Sequence, residues 1–113
     1  SLFIILTIRN IMYYNFDSYQ YERKNTYEWN RNIKTCKVLA DETRVKIVLE
    51  LLKTDELCAC KLLGLVDCQQ STLSHHMKLL VDGGIVRARK DWKWTHYSIN
   101  KERISEIVNI FIL

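Results

Sequence analysis

Four cysteines are the residues of this chain best suited to chemistry: Cys36, the close pair Cys58-Ala59-Cys60, and Cys68. In a secreted chain they would suggest two disulfides. Nothing in this sequence looks secreted, and in a reducing compartment closely spaced cysteines are more often metal-binding or redox-active. A thiol acts as ligand or nucleophile in its thiolate form, and thiolates are the donors that soft ions prefer. The bland alternative is that each cysteine is a small core hydrophobe. Cys36 fits it, because it continues an apolar stripe with Trp29, Ile33 and Ala40. The adjacent His75 and His76 also invite a metal reading, but helical neighbours point about 100° apart and do not easily chelate one ion.

A second group of residues suits nucleic acid. Gln70, Ser71, Ser74, His75 and Lys78 gather on one face of a predicted helix, while Leu73, Met77 and Leu80 recur at i, i+4 and i+7 on the other. Such side chains offer donors and acceptors to base edges and phosphates, although alone the face reads better as a solvated one. The next segment favours DNA. Between Ile85 and Ile99, Arg87, Arg89, Lys90 and Lys93 are opposed only by Asp91, in a chain whose whole net charge is +4. Most of the basic excess therefore falls where a hairpin would meet a polyanion.

The elements that must position these groups follow from pattern. A chain of 113 residues, 48% hydrophobic and 27% charged, has the composition of one globular domain and not of a disordered one. Three glycines and no proline point to a mostly helical chain. The apolar run from Leu2 to Ile8 stops at Arg9, short of the ~20 residues of a membrane helix, and lacks the flanks of a signal peptide. The expected location is cytoplasmic, with no membrane partner. Residues 1–11 precede the first methionine, Met12, and are expected to be upstream sequence. With the aromatic stretch that follows they make residues 1–25 an N-terminal arm and residues 26–113 the working domain.

Within that domain the Trp29 stripe marks a first helix. Asp41 is placed to cap a second through Val45, Val48, Leu49 and Leu52. The polar Thr54-Asp55-Glu56 starts a short third helix ending near Gly64. A fourth runs from about Gln69 to Val81, closed by Gly83-Gly84. A hairpin turns at Lys90-Asp91-Trp92-Lys93, and Asn100 caps a last helix with Ile104, Ile107, Val108 and Phe111. This order makes the chain mainly α with a small β-hairpin (α+β): a winged helix-turn-helix, in which the second of two short helices is presented to a DNA groove. No phosphate loop, deaminase signature or nucleophile–base spacing points to an enzyme.

Val38-Leu39-Ala40-Asp41-Glu42-Thr43-Arg44-Val45-Lys46-Ile47, Glu56-Leu57-Cys58-Ala59-Cys60, Ser71-Thr72-Leu73-Ser74-His75-His76-Met77-Lys78-Leu79-Leu80 and Trp94-Thr95-His96-Tyr97-Ser98-Ile99 closely resemble the ArsR/SmtB family of metal-responsive repressors. The resemblance covers roughly Ile33 to Val108. It implies a homodimer, joined through its first and last helices, that sits on double-stranded operator DNA and leaves when an inducer binds. It implies that Cys58 and Cys60 hold trivalent arsenic or antimony, with cadmium or lead as alternatives and no organic cofactor. Two departures stand out. The family usually places Gly at the wing tip, where this chain has Trp92, so a longer or different turn is expected. The family's other sensing site uses Asp and His on the last helix, where this chain has Lys101 and Arg103 and no His, so no zinc site is expected there.

The pair also has a geometric implication. Cys58 in the first turn of the third helix would have its pKa lowered by free N–H groups and the helix dipole. Positions i and i+2 of a helix are about 200° apart, so gripping one ion should distort that turn and so couple the ion to DNA affinity. For a third ligand, related sites use a position one turn after Cys60, which here is Leu63; Cys68 is the better substitute and Cys36 the poorer. Two rivals keep the fold: a thiol-redox repressor, and a winged helix used only for protein contacts.

Overall fold

The computed structural model describes residues 2, 4–8 and 26–111. Ile112, Leu113 and the aromatic arm over residues 12–25 lie outside them. In chain order the domain consists of α1 (Thr26–Leu39), α2 (Glu42–Leu52), β1 (Leu57–Cys58), α3 (Ala59–Leu65), α4 (Gln70–Asp82), β2 (Val86–Asp91), β3 (Trp94–Ile99) and α5 (Lys101–Phe111). Mostly helical, with one small antiparallel sheet, it has the expected winged helix-turn-helix order.

Local chemistry accounts for the boundaries. Asp41 is in extended conformation and accepts from the Arg44 N–H at 3.1 Å, capping α2. Asn100 does the same for α5 through the Arg103 N–H at 3.3 Å, while its amide nitrogen donates to the Gly84 carbonyl at 2.9 Å. α4 ends in paired bonds, Ile85 N–H to the Leu80 carbonyl and Gly84 N–H to that of Val81. That arrangement requires the left-handed conformation at Gly84, whose φ is +76°. It delivers Ile85 into the core at the point where the wing begins.

The core joins Ile47, Leu51, Leu62, Leu73, Met77, Leu80 and Ile85, all at most 3% exposed. Four expectations are corrected. On α2, Ile47 and Leu51 face inward with Val45 and Val48, whereas Leu49 and Leu52 are exposed, because the helix must face α4 and the sheet together. Gly64 lies inside α3, and the helix stops at Val66, which is extended. Residues 4–8, expected to stand outside the domain, are helical, with Ile5 buried and Ile8 against the core. The fourth is a strand that the sequence reading lacked. β1 pairs with β3 (Leu57 opposite Tyr97, Cys58 opposite His96), giving sheet order β1-β3-β2. A two-residue strand carries no alternation to detect; only its neighbour defines it.

Candidate DNA interface and cysteine site

α3, the turn through Val66–Gln69, and α4 form the helix-turn-helix. Gln70, Ser71, Ser74, His75 and Lys78 are all exposed on α4, while Leu73, Met77 and Leu80 are buried, so the structure brings the polar candidates onto one accessible face. His76 is half-buried, on the packed side as expected. Arg44 reaches it from α2, with Nη1 3.2 Å from Nδ1, and anchors itself through Nε to the Val38 carbonyl at 2.6 Å. A guanidinium only donates, so Nδ1 of His76 accepts and its proton sits on Nε2. Burial first, then Arg44 and His75, depress the His76 pKa against the pull of Asp41. This tether between α2 and α4 has no signal in sequence spacing, since its partners are 32 residues apart.

The wing differs from its charge count. Arg87 pairs with Glu102 at 3.0 Å and donates to Asn100. Arg89 grips the Glu56 carboxylate through both nitrogens of its fork, at 2.6 and 3.1 Å. That hydrogen bonding, chiefly, holds the Glu56 carboxyl below its ordinary range and raises the Arg89 pKa. Lys90 has no ion pair among the described residues, and Lys93 rests against indole rings. Two of the four expected phosphate contacts are thus already engaged by carboxylates from outside the hairpin. Glu56→Gln should free Arg89 and make binding to any DNA tighter, with the salt slope steeper by about one. Salt titrations of parent and variant on random duplex check this; identical slopes would mean Arg89 stays off the phosphates.

Cys58 is the last residue of β1 and the N-cap of α3. Its φ of −76° and ψ of 156° are extended, and its sulfur accepts from the Lys61 N–H at 3.4 Å. Cys60, exposed, is the second residue of the helix. The two are joined as a disulfide, with Cα atoms 5.4 Å apart. The expectation that both sulfurs could meet only by distorting a helical turn is therefore corrected. It assumed two helical residues, and one of them is extended because pairing with β3 delays the helix. Cys68 is half-buried against the core, and Cys36 is 3% exposed, its pKa pushed up to about 11 by burial despite nearby Arg103. Such a thiol stays protonated at neutral pH and is a poor ligand. Among the described residues no group of three His, Cys, Asp or Glu side chains is placed to hold a metal, so Cys68 is not brought to the pair.

Residues 41–88 match the model of the arsR family of bacterial regulatory proteins. An arsenical resistance operon repressor from Staphylococcus aureus is 46% identical over 72 residues, which cover 64% of this chain and 68% of that protein. The chain belongs to the arsR family. A cadmium resistance transcriptional regulatory protein CadC homolog, also from Staphylococcus aureus, is 39% identical, the match covering 66% of this chain and 62% of that protein. The chain spans about three fifths of the length of the first curated relatives it matches. In fold it is similar to a homodimeric winged helix-turn-helix domain from Mycobacterium bovis, with TM-score 0.67 and 20% identity over 78% of this chain and 81% of that one. The family is one of transcription regulators, not of enzymes.

In this arsR-family chain the last helix does something the sequence reading did not foresee. Arg103, 2% exposed, donates to Thr35 Oγ1 on α1 at 2.8 Å and to Glu106 at 2.7 Å. Thr35 is itself buried and bonds the Arg31 carbonyl at 3.0 Å. A guanidinium, not a ligand set, thus fills the α1–α5 contact at one of the two departure positions. Of the expected dimer residues, Ile107 is buried within the chain, Ile104 and Trp29 are half-buried, and Val108 is 45% exposed. The Phe111 side chain lies outside the described residues.

Proposed function

We propose that this chain is a homodimeric transcriptional repressor that binds operator DNA through α4 and the wing. Its inducer is a soft ion, As(III) or Sb(III), held by Cys58 and Cys60. The observation that carries the reading is the place of the cysteine pair. Cys58 ends a strand paired to the wing, starts the helix before the reading helix, and lies two residues from Glu56, the partner of Arg89. A ligand that reshapes this segment acts on β3 and on Arg89 without unwinding α3, which supplies the two-state element that coupling requires. The relatives named for arsenical and cadmium resistance support an ion as inducer; Cd(II) or Pb(II) remains the alternative ion. The pair suits such an ion only when reduced, because a disulfide offers no thiolate. Cys68 is retained as third ligand only if the reduced segment moves toward it.

The disulfide favours a second reading on the same DNA interface, in which oxidation of the pair releases the operator. The two separate cleanly: arsenite with reductant present releases DNA on the first reading, and peroxide without arsenite on the second. The DNA-binding half is tested by salt and sequence. Binding should weaken steeply with salt, and Ser74→Ala or His75→Ala should cost ~1–3 kcal/mol at particular base positions. Equal losses on specific and random duplex would remove the base-reading role. Absence of any salt-dependent binding would leave the protein-contact reading.

A further inference from the structure

We infer that the tip of the wing is an aromatic DNA contact, with Trp92 entering the minor groove beside the major-groove site of α4. The inference rests on the DNA-binding reading above and adds a residue class that it does not use. Three observations on the tip converge. First, the hairpin closes with only Trp92 and Lys93 between the paired residues Asp91 and Trp94, the narrowest connection a hairpin makes. A minor groove of about 6 Å is half the width of the major groove, and one side chain projecting from a two-residue tip fits it.

Second, Trp92 has φ +60° and is 82% exposed. A bulky side chain in the left-handed region is unfavourable in itself, and on this exposed indole only the surface contact with Lys93 offsets it. The two-residue turn itself requires a positive φ at its first position, so what calls for a function is the indole standing where the turn prefers glycine. Third, the Lys93 ammonium lies 4.8 Å from the Trp92 ring centroid and 5.3 Å from that of Trp94. Both distances are within cation–π range. A lysine otherwise free to sample many rotamers is thereby held at the tip, and Lys90 stands close by in sequence without a carboxylate partner among the described residues.

The partner follows from this charge and shape. Arg87 and Arg89 nearer the wing base are engaged by Glu102 and Glu56, so the accessible positive charge of the hairpin is concentrated on Lys90 and Lys93, flanking an apolar plane. That is the pattern of proteins that place an apolar wedge in the minor groove and bind the flanking phosphates with cations. A protein partner would find the same indoles, but would gain little from two lysines unless it were acidic; the polyanion uses both features.

The test compares parent, Trp92→Gly and Trp92→Phe on operator duplex by fluorescence anisotropy. It is repeated with the minor-groove ligand netropsin and with a duplex whose flanking minor groove carries the guanine amino group. Glycine suits the positive φ, so Trp92→Gly keeps the turn and removes the ring with its contact to Lys93, which Trp94 still holds. The expected result is about a tenfold loss of operator affinity for Trp92→Gly and a smaller loss for Trp92→Phe. The salt slope stays unchanged because no charge is removed. Netropsin weakens the parent and not Trp92→Gly, and wing tryptophan emission is quenched on binding. Equal affinity of parent and Trp92→Gly on the operator overturns the inference and leaves the repressor reading standing. A parent with no salt-dependent DNA binding overturns both. Self-association of the parent without DNA that Trp92→Gly abolishes would assign the tip to protein contact and also overturns it.

Discussion

Arsenite added to the reduced parent on its operator should lower DNA affinity by about 5–150-fold, the usual span of allosteric coupling, and should leave Cys58→Ser and Cys60→Ser bound within about twofold of their starting affinity. The two substitutions are mild for the fold. Serine is a preferred N-cap, so Cys58→Ser retains an acceptor for the Lys61 N–H that the sulfur now satisfies, and Cys60 is exposed. Neither position lies on the reading face of α4, so affinity without inducer should match the parent. Loss of response then isolates the ligand role, since one thiolate does not hold the ion. Cys36→Ser should keep the response while lowering stability, because it puts a hydroxyl at a buried site. Cys68→Ser tests the third ligand directly: an unchanged response removes it. The measurement is operator affinity with and without arsenite, with a small-molecule reductant throughout. A parent that remains on DNA at saturating arsenite would remove the ion from the mechanism, and release of that parent by peroxide would assign the pair to redox.

The second large effect belongs to the α1–α5 contact. Glu106→Ala should destabilise the protein by about 2 kcal/mol, well beyond the ±0.5 kcal/mol expected of a surface position. Arg103→Met should cost less. The carboxylate is half-exposed, but it is the acidic partner of a guanidinium that is almost fully buried, and it also pairs with Arg31 at 3.6 Å. Deleting it leaves the Arg103 guanidinium with the Arg31 carbonyl and the Thr35 hydroxyl as its acceptors, and takes from Arg31 its pairing with Glu106. Removing one partner of a buried pair is costly because the other charge stays desolvated. The value is set below the ~3–5 kcal/mol of a fully buried pair, because Glu106 is itself partly solvated. Methionine at 103 fills much of the same volume and removes the desolvated charge altogether. Urea midpoints at one fixed protomer concentration check the order, the concentration being held because a dimer's stability depends on it. The reverse order, with Arg103→Met the worse, would mean that Arg103 stabilises mainly through its hydrogen bond to Thr35.

Features that depend on near neighbours along the chain are legible before any packing is known. The α4 faces follow from the 3.6-residue period of Leu73, Met77 and Leu80. The caps at Asp41 and Asn100 follow from side chains that bond an amide three residues on, and the α4 stop follows from a glycine that must be left-handed. The hairpin is legible for the same reason, since its partners are close in sequence. The family, too, could be read from the order and spacing of its motifs. The remaining features depend on contacts between segments far apart in the chain. Leu57 and Cys58 are a strand because β3 lies beside them, some forty residues on. That pairing moves the start of α3 and makes Cys58 an extended cap, so the two sulfurs meet without the distortion that helical geometry demanded. The wing's charge was counted correctly and yet misjudged, because Glu56 and Glu102 reach Arg89 and Arg87 from other elements. Arg103 and Thr35 meet across 68 residues. Charges and thiols act over a few ångströms of space, and separation along the chain does not fix those distances; packing does.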